Sequence, residues 1–345
     1  MREIPAEVRE GRAAALRLPK VELHTHVEAT PRPSTLKELA GEHGLQLPPR
    51  LDPDSDVPLE FDSLLEFLHT LREINPLFGS PEVYGRLYYE HLEDQAADNV
   101  VYCETRFSPV RPVLDRGMDV GGLIAAMGAA GRRAQADFGI DSGLILSLSR
   151  TRDPGDSRNL TAEILRVMDG NLAGFDIADD ESAGPATDFM EVFEMAAAAG
   201  LPATVHAGET MGPESIWAAL KLPGIRRIGH GLTAHQDQEL VAKLASDRVH
   251  LELCPISNMK TNQIESLADH PLPGYRTAGI SLSVNTDDPI AFGNDISTEY
   301  AVLESVFHLT ADQIRAVTLD AIDAAFASED VKDRAKRRVL ADGNG

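Results

Sequence analysis

Eight short runs of apolar and β-branched residues recur along the 345-residue chain, and their alternation with helical stretches constrains the fold more than any other feature. Most neighbouring runs are separated by an amphipathic or alanine-rich stretch that is long enough for a helical crossover. Strands joined by helical crossovers lie parallel, and eight of them can close into a barrel. We therefore predict an α/β protein with the (β/α)₈ TIM barrel fold, as a single domain over residues 1–345. The predicted strands are Lys20 to His24, Val100 to Phe107, Gly143 to Leu148, Leu172 to Ile177, Pro202 to His206, Arg227 to Gly229, Val249 to Leu253 and Ile280 to Val284.

One interval between strands is much longer than the rest. It runs over about residues 28–99 and contains the proline-rich stretch LPPRLDPDSDVP and two helical patterns. Barrel enzymes place their active sites at the carboxyl ends of the strands, so an insertion after the first strand is predicted to be a helical lid over that face. An ordinary surface insertion remains the alternative. The candidate apolar walls of the lid, or ordinary packing residues in the alternative, are Phe61, Leu64, Phe67, Leu68 and Leu71.

The last part of the chain, about residues 309–340, is helical by its period. Because this stretch follows the eighth predicted strand, we expect these C-terminal helices to close the base or the side of the barrel. They complete the single predicted domain.

The charge of the chain limits its partners. The 55 acidic and 32 basic residues give a net charge of -23, which argues against a nucleic acid or an anionic membrane surface as partner and favours a small neutral or cationic ligand. No stretch approaches the ~18 apolar residues of a membrane span, and the first twenty residues are too charged for a signal peptide. The two cysteines, Cys103 and Cys254, lie in apolar runs and are expected to be reduced core thiols. These features predict a cytoplasmic protein and leave its oligomeric state open.

Polar side chains of a particular kind follow several of the predicted strands. Singly, each has an ordinary reading as a core histidine, a helix cap or a turn residue. Together they place histidines and acids on one rim of the barrel, which favours a divalent metal site with an adjacent general acid. The residues are His24 and His26 after the first strand, His206 and Glu209 after the fifth, His230 after the sixth, and Asp287 and Asp288 after the eighth.

The motifs PKVELHTH, VHAGET, RIGHG, LCPISN and SVNTDDP, in this order and spacing, closely resemble those of the adenosine deaminase family of metal-dependent amidohydrolases. The resemblance covers Leu18 to Leu303. It implies a TIM barrel that binds one Zn²⁺ and a small-molecule purine. It also implies that Glu209 donates a proton to the purine ring, that His230 assists the zinc-bound water, and that Asp288 binds ring nitrogen N7. The implied zinc ligands are His24, His26, His206 and Asp287.

The chemistry of these residue types is consistent with the implied reaction, the conversion of adenosine into inosine and ammonia. Zinc lowers the pKa of its bound water from 15.7 to about 7, which makes hydroxide available at neutral pH. A 6-aminopurine resists attack at C6 until N1 gains a proton. Glu209 can supply this proton if apolar surroundings raise its pKa. His230 and Asp288 can hold and deprotonate the water during the attack, so Glu209, His230 and Asp288 are the candidate catalytic residues.

Two departures from the usual family pattern leave the choice of substrate open. Glu28 occupies a position at which an acid reaches the sugar hydroxyl, but it is followed by Ala29 and Thr30 rather than by glycine. Asp179 stands where a glycine commonly offers its backbone N–H to purine N3, and its side chain adds bulk and charge. Adenine deamination, or deamination of another nucleoside such as aminodeoxyfutalosine, is therefore the alternative to adenosine.

Other classes of function fit the sequence less well. A non-catalytic purine-binding protein would not need the complete set of acid, base and metal ligands. The two-metal phosphotriesterases use a lysine at the end of the fourth strand, where this chain has Ala178 and Asp179. The zinc deaminases that edit nucleic acids carry an H-x-E and P-C-x-x-C signature, which is missing here.

Overall fold

The computed structural model describes residues 3–168, residue 170 and residues 172–341. The predicted domain, residues 1–345, therefore includes positions 1, 2, 169, 171 and 342–345, which lie outside the described residues. Within the described part, the strands are β1 (Lys20–His26), β2 (Val100–Phe107), β3 (Asp141–Ser149), β4 (Leu172–Ala178), β5 (His206–Ala207), β6 (Arg227–His230), β7 (His250–Leu253) and β8 (Leu282–Val284).

The helices surround these strands. None of the helices in the described residues is both long and apolar enough to cross a membrane. In chain order they are α1 (Ala6–Ala15), α2 (Pro33–His43), α3 (Leu64–Ile74), α4 (Pro81–Ala97), α5 (Val120–Phe138), α6 (Pro154–Val167), α7 (Met190–Ala198), α8 (Pro213–Ala219), α9 (Gln238–Asp247), α10 (Pro255–Lys260), α11 (Leu272–Thr277), α12 (Pro289–Phe292), α13 (Ile296–Ser305), α14 (Ala311–Ala324) and α15 (Glu329–Ala341).

The strands close into a barrel through two seams. All ladders are parallel, and they form one sheet in the order β1-β2-β3-β4 and a second in the order β5-β6-β7-β8. At the first seam Phe175 pairs with Ala203 just before β5, and at the second Thr25 pairs with Asp287 just after β8. Two backbone hydrogen bonds support the second seam, from His26 N–H to the Asp287 carbonyl (3.1 Å) and from Asp287 N–H to the His24 carbonyl (2.9 Å). The predicted α/β barrel is confirmed.

The fifth strand differs from its prediction. It covers only His206–Ala207, whereas the sequence pattern extends from Pro202. Proline has no N–H to donate to a ladder, and the next residue, Ala203, makes isolated bridges to Phe175 and Ile225 in place of a continuous ladder. Backbone hydrogen bonds still join this segment to both neighbours, from Thr204 N–H to the Phe175 carbonyl (2.9 Å) and from Arg226 N–H to the Ala203 carbonyl (2.9 Å).

The segment between β1 and β2 forms α2, α3 and α4. Its last helix, α4, packs against α5 and β2 in the manner of an ordinary crossover helix, so the additional structure lies before it. Ser63 caps helix α3, since its side chain accepts the N–H of Glu66. The helix buries Leu64 and Phe67 on one face. The lid function of the segment remains a prediction.

The C-terminal helices pack against the outside of the first two strands. Val21 of β1 and Val101 of β2 share an apolar cluster with Ala321 of α14 and Val339 of α15. Since successive side chains of a strand point to opposite faces, the alternate positions Glu22 and His24 face the barrel interior.

The interior of the barrel contains fully buried charges where aliphatic side chains are usual. Arg106 of β2 pairs with Asp176 of β4 (2.9 Å) and with Glu252 of β7. Arg227 of β6 also pairs with Glu252 (2.6 Å) and with Glu104 of β2 (2.5 Å). Each charge is compensated by an opposite one, as burial of ions requires, and the network connects strands on opposite sides of the barrel.

Candidate active site

A pocket opens at the carboxyl ends of the strands. It encloses about 870 Å³ including its open mouth. The side chains of α3 at Leu64, Phe67, Leu68 and Leu71 form one wall. Phe61, also considered for this wall, packs against the rings of Phe67 and Phe292 instead. The predicted site residues that line the pocket are His26, Glu28, Asp179, His206, Glu209, His230, Asp287 and Asp288, and the ninth, His24, lies fully buried next to His206.

Four donor atoms converge at the base of the pocket. The Nε2 atom of His206 lies 3.0 Å from Nε2 of His24 and 3.3 Å from Nε2 of His26. Asp287 Oδ1 lies 3.4 Å from Nε2 of each of these two histidines. A tetrahedral zinc ion with bonds of about 2.0–2.1 Å separates its ligands by about 3.3 Å, and these four donor–donor distances lie near that value. Two groups have donor atoms that all lie within 4.8 Å of one another: His24, His206, His230 and Asp287 form one, and His26, Asp287 and Asp288 form the other.

The surroundings of these histidines fix which ring nitrogen faces the centre. Nδ1 of His24 lies 2.9 Å from Glu252 Oε2, and Nδ1 of His206 lies 3.0 Å from Asp176 Oδ2. Because a carboxylate accepts the proton of Nδ1, Nε2 is left with an exposed lone pair, as a metal ligand needs. The donor set therefore fits a divalent cation that prefers nitrogen and carboxylate ligands, such as zinc.

The backbone is strained at three of the site residues. Asp179, His230 and Asp287 have φ angles of 77°, 60° and 62°, in the left-handed region that non-glycine residues rarely adopt. Ser257 Oγ donates to Asp287 Oδ2 (2.7 Å) and holds this carboxylate in place. Strain of this kind persists only where the surrounding structure enforces it, and it concentrates at functional sites.

The loop that carries Glu209 is held by a single carboxylate. Glu181, which follows β4, accepts backbone N–H groups from Gly208 (2.7 Å), Glu209 (2.9 Å), Thr210 (2.7 Å) and Met211 (3.0 Å), and the hydroxyl of Ser215 (2.6 Å). Both oxygens of Glu181 are thereby used. The arrangement fixes the backbone on both sides of Glu209.

The side chain of Glu209 is suited to be a neutral acid. It is buried, and its Oε1 atom has no hydrogen-bond partner among the described residues. Burial raises its pKa well above the usual range, and the nearby charges of Asp287 and Glu181 act in the same direction. A carboxyl group that remains protonated at neutral pH can donate a proton into the pocket.

His230 and Asp288 complete the polar part of the pocket. His230 Nε2 lies 3.8 Å from Glu209 Oε2 and 3.9 Å from Asp287 Oδ2, and burial lowers its pKa well below the usual value, so the imidazole is neutral. Asn258 Nδ2 lies 3.4 Å from its other ring nitrogen. Burial and the charge of Asp287 raise the pKa of Asp288 well above the usual range.

Gly229, beside His230, allows His24 to reach its place. A Cβ atom at this position would lie 2.8 Å from Cε1 of His24, closer than such contacts occur. The first glycine of the GHG motif is therefore required by close packing against a candidate metal ligand.

The two residues at which the sequence departs from the family pattern both face the pocket. Glu28 is half-buried and accepts the backbone N–H of Ser108 (2.8 Å), and desolvation raises its pKa to about 7. The Asp179 carboxylate binds Arg72 of α3 (2.5 Å) and accepts the hydroxyl of Ser149 (2.6 Å). The negative charge of Asp179 near the ligand is therefore offset by Arg72, which belongs to the segment between β1 and β2.

Sequence reasoning missed the residues that hold the site together. These are Asp176 and Glu252 beside the histidines, Glu181 beside the Glu209 loop, and Ser257 and Asn258 of the LCPISN motif. An acid within a buried strand could have indicated two of them, because Asp176 lies in β4 and Glu252 lies in β7. Such acids are almost never buried unless they are paired.

Comparisons with known proteins agree with this geometry. The family model described as adenosine deaminase matches residues 19–341. An adenosine deaminase of Klebsiella pneumoniae (strain 342) is 36% identical over 326 residues, which cover 93% of this chain and 98% of the relative.

Two solved structures are similar over nearly the whole chain. An adenine deaminase from Arthrobacter aurescens has a TM-score of 0.88 at 27% identity, covering 95% of this chain and 100% of that one. An amidohydrolase from Burkhoderia ambifaria, solved with bound Zn, has a TM-score of 0.84 at 27% identity, covering 98% and 93%.

Proposed function

Because the chain belongs to the adenosine deaminase family and is a hydrolytic deaminase, we propose that it removes the 6-amino group of a purine nucleoside, converting adenosine into inosine and ammonia. The observation that carries this proposal is the convergence of histidine and aspartate metal-donor atoms, the buried carboxyl of Glu209 and the buried imidazole of His230 in one pocket. These are the groups that hydrolysis of an aromatic amidine requires.

The metal site of the proposal uses His24, His26, His206 and Asp287, and it holds one zinc per chain. When bound, zinc lowers the pKa of a coordinated water and so provides a nucleophile at neutral pH. Glu252 and Asp176 orient two of the imidazoles through Nδ1. The Zn-bound relative of similar fold supports the choice of metal.

The proton transfers fall to Glu209 and His230. Glu209, protonated, donates to N1 of the purine and makes C6 electrophilic. His230, neutral, accepts a proton from the attacking water, and its position within 4 Å of Glu209 and Asp287 allows it to act between them. Formation of the C6–O bond gives a tetrahedral carbon. His230 then passes the proton taken from water to the 6-amino group, and cleavage of the C6–N bond releases ammonia. The C6 hydroxyl returns a proton to Glu209 as the carbonyl forms, so one water is consumed for each ammonia formed.

The remaining polar groups orient the purine. Burial and the charge of Asp287 raise the pKa of Asp288, and its carboxyl, when it carries the proton, can donate to N7, which is an acceptor. The N–H of Asp179 is proposed to contact N3, and its positive φ explains why glycine is common at this position. The side chains of Phe67 and Leu68 cover the ring from α3.

A nucleoside is favoured over a free base because the pocket has polar lining groups that are assigned to neither the metal nor the purine. Its lining includes Glu28, Asn75 and Arg111 in addition to the groups that face the purine. Glu28 is proposed to accept a hydrogen bond from a sugar hydroxyl. The likeness to an adenine deaminase keeps adenine as the second candidate, because a half-buried glutamate can also bind a base.

The experiment that tests the proposal compares adenosine and adenine as substrates. Loss of the aminopurine absorbance and release of ammonia are followed with the zinc-loaded protein, and kcat/KM is determined for both. We expect the value for adenosine to be the higher one. A higher value for adenine would contradict the nucleoside assignment, and no turnover of either would contradict adenosine as the substrate.

A further inference from the structure

Basic residues collect at the outer part of the pocket, although the chain as a whole is strongly acidic. Arg72 of α3 and Arg111 line the pocket, and the charge of Arg152 acts on Arg111. The net charge of -23 by itself favours a neutral or cationic ligand. The local charge has the opposite sign, so the overall charge does not describe this part of the pocket.

The carboxylates near these arginines are already paired. Arg72 binds Asp179 (2.5 Å), and Arg152 binds Asp115 (2.5 Å). Asp179 uses its second oxygen for Ser149 (2.6 Å). Three guanidinium groups thus face two carboxylates, and one positive charge is left over.

The excess charge belongs to Arg111. Among the described residues no carboxylate lies within ion-pair distance of it, and no hydrogen-bond partner is found for it. Its side chain is half-buried, and burial together with Arg72 lowers its pKa. A partly desolvated guanidinium without a partner is costly unless a ligand supplies the anion.

Arg111 lies near Asp179, whose charge acts on it and whose N–H is proposed to contact N3, on the side of the purine that bears the sugar. The backbone N–H of Ser108 binds Glu28, the residue proposed to contact a sugar hydroxyl. Arg111 follows three residues later, in a short π-helical turn over Val110–Asp115, and lines the same pocket as Glu28. An anion bound there would extend from the ribose and away from C6.

We propose that Arg111, supported by Arg72 and Arg152, forms a subsite for an anionic group on the sugar side of the nucleoside, either a phosphate or a carboxylate. This inference rests on the proposed function and narrows its substrate class to 6-aminopurine nucleosides that carry a negative charge. The planar guanidinium matches both oxyanions with two parallel hydrogen bonds. It also offsets, at the entrance, the repulsion of an anion by the acidic protein.

The test measures kcat/KM of the zinc-loaded protein for adenosine, for AMP and for adenosine 5′-carboxylic acid at one ionic strength. We expect at least one anionic substrate to exceed adenosine ten-fold or more. AMP will be preferred if the group is a phosphate, and the carboxylic acid if it is a carboxylate. In Arg111→Gln the ratio of anionic to neutral kcat/KM should fall at least ten-fold, and Arg111→Lys should retain part of it.

Arg337→Gln is the matched control. Arg337 is exposed on α15, so this substitution removes the same charge at a position away from the pocket. In Arg337→Gln the ratio of kcat/KM for the anionic substrates to kcat/KM for adenosine should equal that of the wild type. As a second readout, competitive inhibition of adenosine turnover by inorganic phosphate should weaken ten-fold in Arg111→Gln.

An unchanged ratio in Arg111→Gln, or wild-type protein that prefers adenosine, would overturn the subsite and leave nucleoside deamination intact. Absence of turnover with all three substrates would overturn both proposals.

Discussion

Replacement of Glu181 by glutamine tests whether the loop that carries Glu209 is positioned by a remote carboxylate. Oε2 of Glu181 accepts the N–H groups of Glu209, Thr210 and Met211, and Oε1 accepts Gly208 N–H and the Ser215 hydroxyl. Glutamine can retain only one acceptor oxygen. In its best orientation the amide NH₂ faces Gly208 N–H, which loses its partner, and the other bonds lose their charge assistance.

The size of the effect follows from these contacts. A buried donor without a partner costs about 1–3 kcal/mol, and hydrogen bonds to a charged group exceed neutral ones by about 1 kcal/mol each. Three bonds weakened in this way and one donor lost give about 4–6 kcal/mol, which the loop relieves by moving. A displacement of about 1 Å in a reacting group costs about 100-fold in rate, so we expect kcat of Glu181→Gln to fall by about that factor.

The assay compares kcat, zinc content and urea unfolding of Glu181→Gln with those of Glu194→Gln. Glu194 is exposed on α7, so the control changes the charge equally without touching the loop. Glu181→Gln should bind zinc, because Glu181 contacts none of the candidate ligands' side chains among its described bonds. If it retains more than half of the wild-type kcat and unfolds at the same urea concentration, the positioning argument is refuted.

Four further changes test the other parts of the site. Glu209→Gln should lower kcat by about 10²- to 10⁴-fold with zinc still bound, because an amide cannot act as the general acid; stopped assays and elemental analysis check this. Glu28→Gln should raise KM for adenosine about ten-fold and change kcat less, since it weakens a contact remote from C6; steady-state kinetics on adenosine would show an unchanged KM if Glu28 does not touch the sugar. Gly229→Ala should lower zinc affinity, because its Cβ displaces His24, and titration with a chelator measures the loss. Removal of the metal should abolish activity and one equivalent of zinc should restore it; a requirement for two equivalents would contradict the single-zinc site.

The sequence was informative about this site because the barrel fold sends every strand end to the same face. Once eight strands were predicted, His24, His206 and Asp287 had to approach one another although they are far apart in the chain. The structure places their donor atoms within 3.4 Å in the pairs that lie closest. The roles of these residues remain predictions.

The supporting residues could not be singled out in the same way. Glu181 and Glu252 are two of 55 acidic residues, and nothing in their local sequence shows that one binds a loop and the other a histidine. Their partners are fixed by packing across the barrel. The ion pair between Arg72 and Asp179 joins residues that are separated by 107 positions, and only the folded structure brings them together.

The two seams of the barrel imply that the proposed metal would also contribute to the stability of the fold. Each sheet holds part of the donor set: His24 and His26 belong to the first, whereas His206 and Asp287 belong to the second or its extension. His26 and Asp287 meet where β1 joins β8, and His206 begins β5, the short strand beside the other seam. A zinc ion bound by all four would act as a cross-link between the two halves of the chain. Its dissociation would then weaken barrel closure as well as catalysis, and neither half separated from the other would retain a complete coordination shell.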